Sequence, residues 1–344
     1  MRRRQRVSGN RPTALCCIIA GPTGVGKTAV ALELARRWRS EVISADSMQV
    51  YRRLRIGTAT PSREETGSIP YHLIDFLDPL GPEGAERRFS AAEFVRLARP
   101  IIDRLLGDNR PPVIAGGTGL YLRALTLGLF THAPIPVAER AALERELAPL
   151  PSPEIHRRLA EIDPETAGRI HPNDRIRLVR AMEIIRATGA TPSDLRALQA
   201  ARPDASIDSL PADRYAYFIL NASRRDLYER INRRVEGMFA AGLAGETRSL
   251  LAAGVQPHMH CMKALGYAHV AAYLRGELTQ GQALAAVQQS HRNYAKRQLT
   301  WFRKVRGARW ISTADKSPQQ IADEIENCLA SRPPELPYSS ARLR

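Results

Sequence analysis

At 344 residues, 44% of them hydrophobic, the chain is long enough for about two domains and has an ordinary globular composition. No apolar run approaches the ~18 residues of a membrane span, and the arginine-rich start Met1–Arg6 leads into Val7-Ser8-Gly9-Asn10 rather than an apolar signal segment. Cys16, Cys17, Cys261 and Cys328 include no C-x-x-C pair, which argues against a zinc ribbon or a disulfide framework and for reduced, mostly buried thiols. These features exclude an integral membrane protein and a secreted scaffold, and predict a cytoplasmic enzyme with no membrane partner and a disordered basic arm over residues 1–12. The net charge of +16 and pI near 10.3 favour a polyanionic partner. Only five of the 51 basic residues are lysine, however, a skew that genome composition alone also produces.

In chain order, the apolar run Leu15–Ala20 reads as a strand and Thr28–Trp38 as a helix. Between them stands Gly21-Pro22-Thr23-Gly24-Val25-Gly26-Lys27-Thr28, a complete P-loop in the strand–loop–helix context that its mechanism requires. Backbone N–H groups of such a loop converge on phosphate oxygens at a helix N-terminus, Lys27 adds a point charge, and the Thr28 hydroxyl is placed to hold Mg²⁺. The ligand is therefore expected to be a di- or triphosphate. The motif does not decide between phosphoryl transfer and a diphosphate that departs as a leaving group, nor whether a nucleoside triphosphate such as ATP binds.

Glu41–Ser44 reads as a second strand, Ala91–Leu106 as a helix with Phe94, Val95, Ala98, Ile101, Ile102 and Leu105 on one face, and Pro112–Ala115 as a buried strand ending at Gly116-Gly117-Thr118-Gly119. Residues 131–211 change to short, charged helical segments punctuated by prolines, which predicts an all-helical insertion. Tyr215–Leu220 resumes as a strand, and Ser223 can cap a helix carrying Leu227, Ile231, Val235 and Met238. Gln282–Arg303 reads as a long helix, with Arg292, Lys296 and Arg303 off its apolar side, and residues 331–344 as a loose tail. The expected fold is α/β: a P-loop NTPase-like parallel sheet flanked by helices, built from residues 13–130 and 212–330.

Ligands of open parallel sheets bind beyond the carboxyl ends of the strands. The P-loop, Asp46, Thr118 and Arg224 each follow a predicted strand, so if those strands are neighbours the four converge on one crevice. Taken singly, each has a plainer reading: Asp46 as a group behind the ligands of a magnesium ion or a helix cap, Thr118 as a cap, and Arg224 as a solvated arginine.

The combination of Asp46-Ser47-Met48-Gln49-Val50-Tyr51, Ile56-Gly57-Thr58-Ala59, Gly116-Gly117-Thr118-Gly119-Leu120-Tyr121 and His171-Pro172-Asn173-Asp174, the last with Arg177 and Arg180, resembles the tRNA dimethylallyltransferases, also called tRNA isopentenyltransferases. The resemblance continues through Arg224 with Leu227–Asn232, Gly266-Tyr267 and Lys296-Arg297-Gln298-Leu299-Thr300-Trp301-Phe302. It implies transfer of a dimethylallyl group from dimethylallyl diphosphate to N6 of the adenosine 3′ to the anticodon, position 37, of tRNAs reading codons that start with U. On that resemblance Asp46 is the general base, Thr118 helps position the donor, and the P-loop with Mg²⁺ and Arg224 holds the diphosphate. The target base would be flipped out of the anticodon stem-loop, with Asp46, Ser47, Met48 and Gln49 touching it. Arg177, Arg180, Lys263, Gly266, Tyr267, Lys296, Arg297, Gln298, Trp301 and Arg303 would grip the RNA. The chain departs from the family at Ala59-Thr60-Pro61, where Ala-Lys-Pro is common, at Tyr71-His72, where a His pair is common, and in a longer stretch over Gly81–Arg88. It has no C-terminal zinc-finger pattern, which resembles the bacterial type, and a monomer is expected. A small-molecule kinase, an adenylate isopentenyltransferase acting on free AMP-type acceptors and a non-catalytic RNA-binding protein are the rival readings.

Overall fold

The computed structural model describes residues 15–81, 89–128, 137–201 and 214–331. Most of the stretch Gly81–Arg88 and the two termini lie outside these residues. The chain divides into two compact units, one of residues 1–126 with 210–344 and one of 127–209.

The first unit is built on six parallel strands: β1 (Cys16–Ala20), β2 (Val42–Ser44), β3 (Tyr71–His72), β4 (Val113–Gly116), β5 (Tyr215–Asn221) and β6 (Arg309–Ser312). They are ordered β3-β2-β4-β1-β5-β6. Every residue of β1 is buried, as expected of a central parallel strand covered on both faces, where an unbroken apolar run replaces alternation. The register is level at the carboxyl edge: Ala20 stands beside Gly116 on one side and Ile219 on the other, and Ser44 beside Ala115. The loops after β1, β2, β4 and β5 therefore leave from one edge of the sheet. This is the α/β P-loop architecture expected from the alternation of elements.

Helices α1 (Lys27–Trp38), α2 (Arg63–Thr66), α3 (Ala91–Gly107) and α4 (Gly119–Leu127) occupy the first part of this unit. In α3, Ser90 and Glu93 form a reciprocal capping box, and the predicted stripe is buried at Phe94, Val95, Ala98, Ile102 and Leu105 and half-buried at Ile101. The second unit contains, among the described residues, only helices: α5 (Val137–Leu147), α6 (Ser152–Ile162), α7 (Pro164–Arg169), α8 (Arg175–Thr188) and α9 (Pro192–Ala201). Its own core joins Leu143, Leu147, Ile155, Leu159, Ala167, Leu178 and Ala181. Within it, the Asp163 carboxylate accepts from Thr166 N, Thr166 Oγ1 and Ser193 N, tying α7 to the start of α9.

After β5 come α10 (Arg224–Ala240), α11 (Leu243–Ala252), a 3₁₀ turn (His260–Lys263), α12 (Tyr267–Leu274), α13 (Gln280–Phe302) and, beyond β6, α14 (Pro318–Ala330). Leu227 and Ile231 of α10, Ala295 of α13 and Ile321, Ala322 and Ile325 of α14 join the β1-centred core. Sequence periodicity did not reveal β3, β6, α11, α12 or α14. β3 has only two residues, and three of the four residues of β6 are exposed, so neither carries an apolar pattern.

Candidate active site

The P-loop leaves β1 at Gly21 and enters α1 through Gly24 and Gly26, whose φ angles of 81° and 97° lie where a β-carbon is strained. Lys27 Nζ donates to the Gly21 and Pro22 carbonyls at 3.0 and 2.8 Å. Burial, with Arg234 nearby, lowers the Lys27 pKa to about 7, and Asp46 opposes the shift in part. Burial disfavours the charged amine, so an anion entering here would restore the charge.

Gln298 of α13 braces this loop. Its side-chain carbonyl accepts from Thr23 N at 2.8 Å and its amide donates to Gly117 O at 2.9 Å, joining the turns after β1 and β4. The approach depends on glycine, because a β-carbon on Gly117 would lie 2.1 Å from Gln298 Nε2 and one on Gly119 would lie 2.2 Å from the Trp301 indole. The Gly-Gly-Thr-Gly run is thus the bed on which α13 rests. Thr118 itself closes the turn toward β2: its N–H donates to Ala45 O, and its Oγ1 accepts from Ser47 N, both at 3.1 Å.

Asp46 follows β2. Its Oδ1 accepts from Met48 N at 2.9 Å and Gln49 N at 3.4 Å, a turn that orients the carboxylate. Gln49 is 8% exposed. Its amide accepts from Ser44 Oγ and donates to the Thr58 and Ala59 carbonyls, so it buttresses the wall and would have to break a bond to read an adenine edge. The 55–57 segment is pinned by Glu246 of α11, whose carboxylate accepts from Arg55 N, Ile56 N, Gly57 N and the Tyr267 hydroxyl. Tyr267 is fully buried. It braces the wall and is out of reach of a stacked RNA base, a correction to the role expected from sequence.

These parts enclose one cavity of about 930 Å³ within the first unit. Thr23, Gly24, Gly26, Lys27, Thr28, Asp46, Ser47, Met48, Gln49, Lys263 and Gln298 all line it, as do Arg297, Tyr71 and two groups that sequence reasoning overlooked, Arg234 and His291. Arg234 Nη1 donates to Thr23 Oγ1 at 3.2 Å, and burial holds its pKa below the ordinary value. The available signal was an arginine at helical spacing from Leu227 and Ile231, on the buried stripe of α10. Tyr71, one of the departures from the family pattern, lies beside Thr28, and its pKa is raised first by burial. Thr60, another departure, is buried and bonded to Thr58.

Other expected groups stand elsewhere. Arg224 is exposed in the first turn of α10, its guanidinium 5.2 Å from the Tyr228 ring centre. It leaves the same sheet edge as the P-loop but does not line the cavity, whereas Arg234 of the same helix does. Lys296, Arg297 and Arg303 are exposed on α13, Trp301 is half-buried, and Gly266 starts α12 with φ 103°. Arg177 and Arg180 are exposed on α8 of the second unit, paired with Asp174 and Glu183. Asp174, from the His-Pro-Asn-Asp signature, caps α8 through Arg177 N.

The sequence matches the family model described as IPP transferase over residues 49–305, and that described as isopentenyl transferase over 15–74. The chain belongs to the tRNA dimethylallyltransferase family. It is 44% identical over 299 residues to the tRNA dimethylallyltransferase of Syntrophobacter fumaroxidans, spanning 87% of this chain and 83% of that one. An Anaeromyxobacter dehalogenans protein of the same name is also 44% identical, over 93% of this chain and 98% of its own. Among solved structures, the tRNA isopentenylpyrophosphate transferase of Bacillus halodurans aligns with a TM-score of 0.63 at 36% identity, covering 92% of this chain and 96% of that chain. Membership accounts for the order of the signatures from Gly21 to Arg303. Among the described residues, no helix is long and apolar enough to cross a membrane.

Proposed function

We propose that the chain transfers a dimethylallyl group from dimethylallyl diphosphate to N6 of the adenosine 3′ to a tRNA anticodon, releasing diphosphate, and acts as a cytoplasmic monomer. The observation that carries this reading is the meeting of the P-loop, Lys27, Arg234 and Asp46 in one cavity. The P-loop N–H groups, Lys27 and Arg234 hold the diphosphate and stabilise the charge that grows on its bridging oxygen as the allylic C–O bond breaks. The bond's electron pair leaves with the diphosphate, and the N6 lone pair forms the new C–N bond. Asp46 takes the proton that N6 loses. Its Oδ1 is held by two backbone N–H groups, and Oδ2 has no hydrogen bond among the described residues. General-base help of this kind is typically about 10²–10⁴-fold.

The donor set suits magnesium, which takes one or two protein oxygens with phosphate and water oxygens. The Thr28 hydroxyl and the Asp46 carboxylate line the same cavity, with Thr28 the ligand, and a bound ion would supply positive charge to the diphosphate. The acceptor adenosine reaches the cavity flipped from the anticodon loop, beside Ser47 and Met48, with Thr118 holding that turn. Lys263, Lys296, Arg297 and Arg303 supply exposed charge for RNA phosphates. Arg177 and Arg180 of the helical unit, and Arg224 at the sheet edge, add further contacts.

The test is incubation of the protein and Mg²⁺ with dimethylallyl diphosphate and an anticodon stem-loop containing A-A-A, followed by nucleoside mass analysis. A five-carbon gain on the loop, absent with free AMP and nearly lost in Asp46→Asn, is expected. Gain on AMP alone would give the activity to free nucleotides, and no gain with phosphate released from ATP would make the chain a kinase.

A further inference from the structure

His291 lies on the face of α13 that carries Ala295 and Gln298, four and seven residues on, and lines the same cavity as Lys27 and Arg234. The residue is only 4% exposed. Neither Nδ1 nor Nε2 has a hydrogen-bond partner among the described residues, and neither presents accessible surface to the cavity. A buried polar side chain without partners is rare in a folded protein, and on a cavity wall it points to a ligand. The ring is held by a 23-residue helix rather than a loop, so it does not leave the wall to find solvent.

The charges around it indicate which ligand. Arg234 faces the ring from α10, and Lys27 and Lys263 line the cavity from the P-loop and the 3₁₀ turn. Glu33, Asp46 and Glu65 are the acids that line the cavity, and Arg36 and Arg297 line it as well. Burial first, and then Arg234, lower the His291 pKa to about 4, while the Leu265 backbone favours the protonated ring without making a regular hydrogen bond. The ring is therefore neutral while these cations are uncompensated. A polyanion in the cavity would offset Arg234 and Lys27 and reverse the sign of the field at the ring.

We propose that His291 is a charge-sensing group in the wall of the diphosphate site, taking up a proton when a diphosphate enters, its imidazolium acting on the anion through the field and not through a direct hydrogen bond. This rests on the reading that the cavity holds a diphosphate. No bond other than N–H is made or broken, and the proton returns to solvent when the product diphosphate leaves. His291 would thereby couple diphosphate affinity to pH through a residue outside the P-loop.

The experiment labels histidine Cε1 with ¹³C and follows the eight imidazole resonances by NMR from pH 5 to 8, with and without saturating inorganic pyrophosphate and Mg²⁺. The His291 signal is identified by its loss in His291→Gln and, independently, in His291→Thr, with the other seven signals reporting the fold. The free protein should show a neutral ring throughout. Pyrophosphate should move its midpoint up by about two pH units or more. The variants should lose about tenfold in pyrophosphate affinity at pH 5 and almost nothing at pH 8. A His291 ring that stays neutral while calorimetry shows pyrophosphate bound would overturn the proposal, as would a variant whose affinity loss is the same at both pH values. Absence of pyrophosphate binding to the unaltered protein would remove the diphosphate reading itself.

Discussion

Gln298 separates a bracing role from RNA contact, because its amide is spent entirely inside the protein. Gln298→Met keeps the side-chain volume but leaves Thr23 N–H and Gly117 C=O without their partners at 2.8 and 2.9 Å. A buried group stranded in this way costs about 1–3 kcal/mol. Thr23 borders the cavity, so water can reach its N–H, whereas Gly117 is buried, and the sum is about 2–4 kcal/mol. For a unit of this size that lowers Tm by about 5 °C. The functional effect is larger than the stability loss suggests, since Thr23 belongs to the phosphate cradle and a displacement of ~1 Å at a reacting centre costs about 10²-fold. Turnover of dimethylallyl diphosphate should therefore fall about 10- to 100-fold in Gln298→Met, with weaker pyrophosphate binding by calorimetry. Gln298→Glu keeps the acceptor for Thr23 N but sets a carboxylate against the Gly117 carbonyl, and should bind pyrophosphate more weakly still. If Gln298→Met melts and binds pyrophosphate like the parent, and only the KM for the stem-loop rises, then Gln298 contacts RNA and the bracing argument is wrong.

Arg234→Ala should weaken pyrophosphate binding about 10- to 100-fold, the range for one lost charge-assisted contact, with calorimetry as the readout; unchanged affinity would remove it from the cradle. Gly57→Ala would set a β-carbon 2.5 Å from the Tyr267 ring, and overpacking of this kind costs about 1–3 kcal/mol, so urea unfolding should shift unless the wall yields. Glu41 accepts from Arg104 and His72 at 2.6 and 2.7 Å and is ion-paired with Arg110 at 3.1 Å, and the Arg104 hydrogen bond leads in lowering its pKa to about 2. A depressed folded-state pKa gives stability present above the unfolded value of 4.5 and lost as pH falls toward 2. Allowing for solvent screening, Glu41→Gln should cost about 2 kcal/mol at pH 7 and progressively less below pH 4.5, measured by urea midpoints across that range.

Local chemistry made part of this molecule readable without coordinates. The P-loop, the buried run of β1, the stripe of α3 and the cap at Ser223 are each set by residues within one or two turns of each other, where backbone geometry alone links position to role. The ordered signatures likewise identified the family, because their combination is far more specific than any single motif. What depends on residues distant in the chain was not legible. Whether Gln298 meets RNA or Thr23 is a question of a partner 275 residues away, and whether Tyr267 stacks on a base depends on Glu246 and the missing β-carbon of Gly57. Arg224 and Arg234 look alike in a row of arginines. Only the packing of α10 against the P-loop puts one in the cavity and leaves the other over Tyr228. His291 carries no motif at all, and its lack of partners exists only once α13 is laid along the cavity wall.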